Sequence, residues 1–382
     1  MNSKEQNHSW SDFVFTETLQ KRAKPETPLI GVLKGEGIGS EVIAAALTVL
    51  SALESAGDVR FELRSGGVIG TEAEVRHGRP LSDEVIDFCG RIFAGGGAIL
   101  SGPGGGRFVY DLRREFDLFC KFSPLRVCSA LVNDNHLKPE HVRNLDMLLV
   151  RENAAGIYQG RWQEGTAPDG GRKTEQSFSY TEFEVRRILK VAASIAAERR
   201  GILHVVIKDG GVPTISKLWR DCAEDIARAA SIQCHVLNVD LVAYLMVQHP
   251  QEFDVVVSPN LFGDILADLG GALLGSRALS FSGNFSTAGA AVYQTNHGAA
   301  YDLAGTNRAN PAGQIYSLAM LLRESFGLVR EADIIESGLA EVWRQGWRTA
   351  DLVHDGNPIG TKEMADRVAG EVLRLMRREV AA

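Results

Sequence analysis

The sequence holds little that would tie it to a membrane, a nucleic acid or an oxidising compartment. No apolar run approaches the roughly 20 residues that a bilayer-spanning helix needs. The first 28 residues, MNSKEQNHSWSDFVFTETLQKRAKPETP, are polar and mixed in charge, with no apolar stretch of the signal-peptide kind, and read as a loosely held polar N-terminal extension. No long basic run appears and the formal net charge is −7, which argues against nucleic acid or an anionic membrane as the main partner. Cysteine is scarce: Cys89, Cys120, Cys128, Cys222 and Cys234 are an odd number without a CxxC or Cys/His pairing. Reduced structural thiols in a cytoplasmic protein are expected.

What the chain does have is the composition of an ordinary globular protein, 45% hydrophobic and 23% charged, with 40 glycines that imply many tight turns. Its 382 residues exceed one typical domain, so two are expected. Short apolar runs alternate with amphipathic segments, the pattern of an α/β protein with a largely parallel sheet. LIGVLKG (29–35), DMLLV (146–150), HVVIK (204–208), HVLNVD (235–240) and FDVVVS (253–258) read as strands. Functional groups follow strand after strand: Arg151 and Glu152, Lys208, Asp240, Asn260. Ligands of parallel α/β sheets bind beyond the carboxyl ends of strands, so these groups together suggest a polar cleft.

The stretch NLFGDILADLGG (260–271) sets Asp264 and Asp268 four apart in an otherwise apolar run. On a helix the two carboxylates stack on one face and repel, which calls for something cationic against them; a solvated helix face is the plain alternative. With Asp240 they would make an oxygen-ligand set for Mg²⁺ or Mn²⁺ that leaves positions for a chelating substrate. Arg113 in DLRREFDLF and Arg151 in VREN would supply planar forks for substrate carboxylates. Lys208 and Tyr158 (in GIYQG) are candidate proton-transfer groups. Such a set describes oxidation of a hydroxy acid next to a carboxylate.

The motifs GEGIGSEV (35–42), LRREFDLF (112–119), VRENAAGIY (150–158), NLFGDILAD (260–268) and HGAAYDLAGTNRANP (297–311) follow in the order found in β-decarboxylating dehydrogenases. The sequence resembles this family, which includes isocitrate, 3-isopropylmalate, homoisocitrate and tartrate/D-malate dehydrogenases, over residues 29–330. GEGIGS passes at first for a Rossmann glycine loop, yet its third glycine falls one residue early. The resemblance implies an isopropylmalate-dehydrogenase-like two-domain α/β fold, not a Rossmann fold. A large cofactor-binding domain would comprise residues 1–118 and 275–382, and a small domain residues 119–274, including a dimer-forming part around 152–180. The resemblance also implies a homodimer with shared active sites. Asp264 and Asp268 would be metal ligands completed by Asp240 of the neighbouring subunit, from which Lys208 would also cross to accept the hydroxyl proton. Tyr158 would protonate the enol at C3, and Arg113 and Arg151 would hold carboxylates. His297 and Asn310 look like an adenine-contacting pair, with Gly298, Ala299 and Ala300 in the same cofactor loop. Asp302 stands where NAD-dependent members place an aspartate on the adenosine ribose; a carboxylate accepts a 2′-hydroxyl and repels a 2′-phosphate, so NAD is expected.

The pattern breaks near the substrate. The usual N-L-R-P reads KFSP, so Ser123 replaces a second carboxylate-binding arginine; Arg126 either reaches in from three residues later or is a solvated strand arginine. Arg107 stands where isocitrate enzymes carry a serine, and Val109 where they carry an asparagine. DGGV (209–212) replaces A-N-V after the catalytic lysine, and Gln294 replaces a glutamate. These departures point away from isocitrate and from ordinary 3-isopropylmalate, towards a 3-substituted malate whose substituent is anionic if Arg107 faces it. The alternative is a non-catalytic regulatory subunit of an isocitrate-dehydrogenase-type oligomer. Such subunits are expected to lose the tyrosine, lysine or metal aspartates, and all five are present here.

Overall fold

The computed structural model describes residues 9–15, 27–353 and 356–380. Its strands are β1 (Leu29–Leu33), β2 (Glu62–Ser65), β3 (Ala98–Ser101), β4 (Cys120–Arg126), β5 (Asp146–Glu152), β6 (Arg161–Thr166), β7 (Arg172–Ser177), β8 (Ile202–Ile207), β9 (Gln233–Asn238), β10 (Val255–Ser258), β11 (Phe281–Phe285) and β12 (Ala291–Thr295). Ten of them form one sheet in the order β2-β1-β3-β12-β11-β4-β5-β10-β8-β9. β6 and β7 pair apart as an antiparallel hairpin.

The sheet is parallel at both ends and antiparallel in the middle, where β12–β11, β11–β4 and β4–β5 pair. Strands such as VVVS of β10 and AILS of β3 are buried throughout, as expected where helices cover both faces of a sheet. The hairpin is the opposite case: RWQEGT and RKTEQS are exposed at every residue. The helix Gly39–Ala56 is long and apolar enough to cross a membrane by composition alone, but Val42, Ile43, Ala46, Val49 and Leu50 are buried within the core. It is a core helix, packed against the final helix Thr361–Val380.

The GEGIG turn is not a phosphate loop of the Rossmann kind. Ile38 N donates to the Ala299 carbonyl at 2.9 Å, and a side chain on Gly37 (φ 54°) would collide with that carbonyl oxygen. The turn therefore packs against the HGAAYDLAG segment.

Part of the N-terminal extension is not loose. Ser11 is fully buried, its N–H donates to the Glu324 carboxylate at 3.0 Å, and its hydroxyl to the Glu324 carbonyl at 2.8 Å. Trp10 meets Phe122 edge-on and Phe15 meets Phe285, each at 6.1 Å between ring centres. A polar composition hid two aromatic anchors and a buried serine. Residues 1–8 and 16–26 of that extension lie outside the described residues.

Candidate active site

β5 ends in Arg151 and Glu152, both buried. Arg151 donates through Nε (3.2 Å) and a terminal nitrogen (2.8 Å) to the Asn260 side-chain oxygen and ion-pairs with Asp264. Asn260 and Asp264 share the helix Asn260–Leu273, whose apolar remainder docks on the sheet. Gly263 allows the approach, since a Cβ there would sit 2.8 Å from Arg151 Cγ. Tyr158, on a short 3₁₀ turn after β5, donates its hydroxyl to the other oxygen of Asp264 at 2.8 Å.

The electrostatics follow from this crowding. Burial alone would raise the Asp264 carboxyl, but Arg151, the Tyr158 hydroxyl, Lys121 and Arg113 together hold it below the usual range. Burial and the Asp264 carboxylate push Tyr158 well above an ordinary phenol, so it stays protonated at neutral pH. Arg113, from the helix Phe108–Glu115, is 5% exposed; burial and the like charge of Arg151 lower it to about 9. Glu152 accepts from the N–H groups of Ala154 (3.0 Å) and Ala155 (2.9 Å), bracing the turn that carries Tyr158; burial raises it to about 7.

Arg107 lies at the same place. It donates to the Tyr158 carbonyl at 3.1 Å, and its guanidinium sits 4.6 Å over the Trp162 ring and 5.3 Å from that of Tyr110. Ser123 is buried in β4 and faces Asn296, whose amide approaches its hydroxyl at 3.4 Å. Arg126 does not join the site. It ends β4 opposite Asp146, at the start of β5, and pairs with Glu336 at 2.9 Å. Strand parity explains it: three residues from Ser123 is an odd step, so the side chain leaves by the other face.

Lys208 and Asp240 stand apart from this cluster, just beyond β8 and its edge neighbour β9. Asp240 lies in the first turn of the helix Val239–Gln248 rather than at a strand end. The two pair at 2.9 Å, and that ammonium lowers the Asp240 carboxyl. Asp268 pairs with Arg277 at 2.9 Å. Among the described residues no three His, Cys, Asp or Glu side chains gather as a metal-binding group, so Asp240 does not complete a cage with Asp264 and Asp268 of its own chain. The latter two are half-exposed carboxylates one helical turn apart, a donor set that suits a hard divalent ion if further oxygens are supplied.

In the proposed cofactor loop, His297 Nδ1 contacts the Gly298 carbonyl at 2.9 Å while its Nε2 is buried without a partner. Burial lowers this imidazole below its ordinary value. An orphaned buried ring nitrogen fits a contact to a heterocycle. Gly298 and Asp302 are exposed, Ala299 is buried against the GEGIG turn, and Ala300 holds a left-handed backbone (φ 42°). Asn310 is already engaged, donating to Asp351 at 3.0 Å and accepting from Ala312 N–H at 3.0 Å.

The relatives fit this arrangement. The family model "Isocitrate/isopropylmalate dehydrogenase" matches residues 29–368. The chain belongs to the isocitrate/isopropylmalate dehydrogenase family. Membership makes it a decarboxylating dehydrogenase, an oxidoreductase with the fold expected from its motifs. It is 36% identical to the 3-isopropylmalate dehydrogenase of Aquifex aeolicus (strain VF5), over 91% of this chain and 97% of that protein. It is 37% identical to that of Pseudomonas syringae pv. tomato, over 90% and 98%. The isocitrate dehydrogenase from Methylococcus capsulatus superposes with a TM-score of 0.81 at 29% identity, over 91% of this chain and all of that one.

Sequence reasoning missed Lys121 and understated Asn260 and Glu152. Lys121 was in plain view as the first letter of KFSP, two residues from Ser123 and so on the same strand face.

Proposed function

We propose that the chain is an NAD-dependent, Mg²⁺- or Mn²⁺-dependent cytoplasmic dehydrogenase that oxidatively decarboxylates a 3-substituted malate as a homodimer. The observation that carries this reading is the convergence of Arg113, Arg151, Tyr158 and Asp264 in one cluster. Arg113 and Arg151 hold the malate carboxylates and set the departing one out of plane with the developing enol. Lys208 of the second copy takes the C2 hydroxyl proton. Tyr158, kept protonated by its surroundings, delivers a proton to C3 after CO₂ leaves. NAD, when bound, would supply the hydride acceptor, and the divalent ion would supply a Lewis acid at the substrate's C2 oxygen. Asp264, Asp268 and the second copy's Asp240 would hold the ion; His297 and Asp302 would hold the adenosine half of NAD.

Two observations support the dimer. Leu241, Tyr244 and Ile265, on the two helices that carry Asp240 and Asp264, are 44%, 61% and 57% exposed, an apolar face suited to a second copy. The β6–β7 hairpin is exposed on both faces, and an isolated two-stranded hairpin is marginal in water. The two-domain division at residues 118–119 and 274–275 belongs to the same reading, with the cleft between the domains as the site. Arg107, held at the Tyr158 carbonyl, would meet an anionic 3-substituent such as a carboxylate or phosphonate.

The test is an assay of D-malate, 3-isopropylmalate and malates with anionic 3-substituents, each with NAD or NADP and Mn²⁺. NADH and CO₂ in equal amounts, abolished by EDTA, are expected. Full activity in EDTA would sink the metal role, and reduction of NADP alone would sink the cofactor reading.

A further inference from the structure

Lys121 is 4% exposed, and among the described residues its ammonium has no carboxylate within ion-pair distance and no hydrogen-bond partner. It sits in β4 directly opposite Arg151 of β5 on one side and Asn284 of β11 on the other. Directly paired residues of antiparallel strands share a sheet face, so Lys121 and Arg151 project together. Burial lowers Lys121 well below an ordinary lysine, as do Arg113 and Arg151, while Asp264 and Asp268 act in the other direction. Three basic side chains thus converge, and Asp264 is the single carboxylate ion-paired with any of them among the described residues. An unpartnered buried lysine beside two guanidiniums destabilises a protein by itself, which makes its place here a matter of binding.

We propose that Lys121 is a third basic contact for the carboxylates of the malate core, beside Arg151 and within electrostatic reach of Arg113. The inference rests on the dicarboxylate substrate proposed above. An ammonium is a point charge with three rotatable donors, so it neutralises a carboxylate without the fixed geometry of a guanidinium fork. Lys121 therefore holds the part common to all substrates and leaves the wall near Ser123 open for the 3-substituent.

The experiment compares wild type, Lys121→Met and Lys121→Arg on D-malate and on the best 3-substituted malate, with thermal melting of each ligand-free protein. Lys121→Met is expected to lose about 10–100-fold in kcat/KM on both substrates alike, chiefly through KM, as for a lost charged hydrogen bond. Its melting temperature should equal or exceed that of wild type, because an unpartnered buried amine is gone. Lys121→Arg should recover part of the loss. Should Lys121→Met fold poorly, Lys121→Gln, of nearly the same length, gives the same comparison. Unchanged kcat/KM overturns the inference. So does a lowered melting temperature with activity lost only in proportion to the unfolded fraction, since Lys121 would then be structural. A loss confined to the substituted malate also overturns it, by moving Lys121 to the substituent. A wild-type chain that neither binds nor oxidises any malate sinks the substrate reading and this inference together. An active wild type beside an indifferent Lys121→Met sinks the inference alone.

Discussion

The chain carries its chemical groups in two different settings. Around Arg151 they are buried and interlocked: Asn260, Asp264 and Tyr158 are joined through hydrogen bonds, braced by Glu152 and by the Arg107 contact to Tyr158. Lys208 and Asp240 have side chains 39% and 67% exposed and bond to each other near the sheet edge. The first group is organised by its own chain. The second is held ready but faces outward, beside the exposed Leu241 and Tyr244. Preorganised charge is worth far more than solvated charge in catalysis, so on the proposed reading the second group gains its strength only when another surface excludes water from it.

The sharpest way to break this contrast is to cut the interlocked half at its hub. Asp264→Asn removes a charge that serves Arg151, Tyr158 and the proposed metal, and kcat should fall at least about 10³-fold. Assay at rising Mn²⁺ checks it; wild-type turnover would show that the carboxylate is dispensable. The contrast in ownership is tested next by mixing inactive Lys208→Ala with inactive Tyr158→Phe chains. If the halves of a site come from different copies, random exchange rebuilds one intact site per mixed dimer and restores up to about a quarter of wild-type activity. No recovery despite proven exchange would put both residues in one chain's site.

A smaller effect separates substrate from scaffold. Arg107→Leu should cost about 10–100-fold in kcat/KM for a malate with an anionic 3-substituent and leave D-malate nearly unchanged. Equal losses would mean that Arg107 serves chiefly to hold the Tyr158 turn. The last effect concerns pH and is read in stability rather than in rate. Glu152 is raised from 4.5 to about 7 by burial, so the folded state binds its proton more tightly than the unfolded state. Its contribution is full below pH 4.5 and is lost as pH rises towards about 7, a change of about 3 kcal/mol. Urea titrations of wild type and Glu152→Gln across that window should differ in slope; parallel profiles would refute the assignment.

How much of this was legible depended on the kind of signal. β5 and β10 were read from DMLLV and FDVVVS because strands buried on both faces are continuous apolar runs. The Asp264/Asp268 stacking was legible from the helical period, and the demand for a cation against them is met by Arg151 and Arg277. The β6–β7 hairpin was missed because it is polar on both faces and has no period to read. Arg126 and Lys121 illustrate one oversight from two sides. KFSP points to a missing arginine, whereas strand parity places Arg126 on the far face and Lys121 on the same face as Ser123.

The anchoring of residues 9–15 has a consequence in the order of synthesis. Ser11 leaves the ribosome 313 residues before the Glu324 that receives it. At ordinary elongation rates of about 5–20 residues per second, that is a wait of roughly 15–60 seconds. Throughout it Ser11 has no Glu324 to bond, and Phe15 waits almost as long for Phe285, whereas Trp10 can meet Phe122 once β4 has been made. The Ser11–Glu324 contact therefore closes only after all twelve strands have been made.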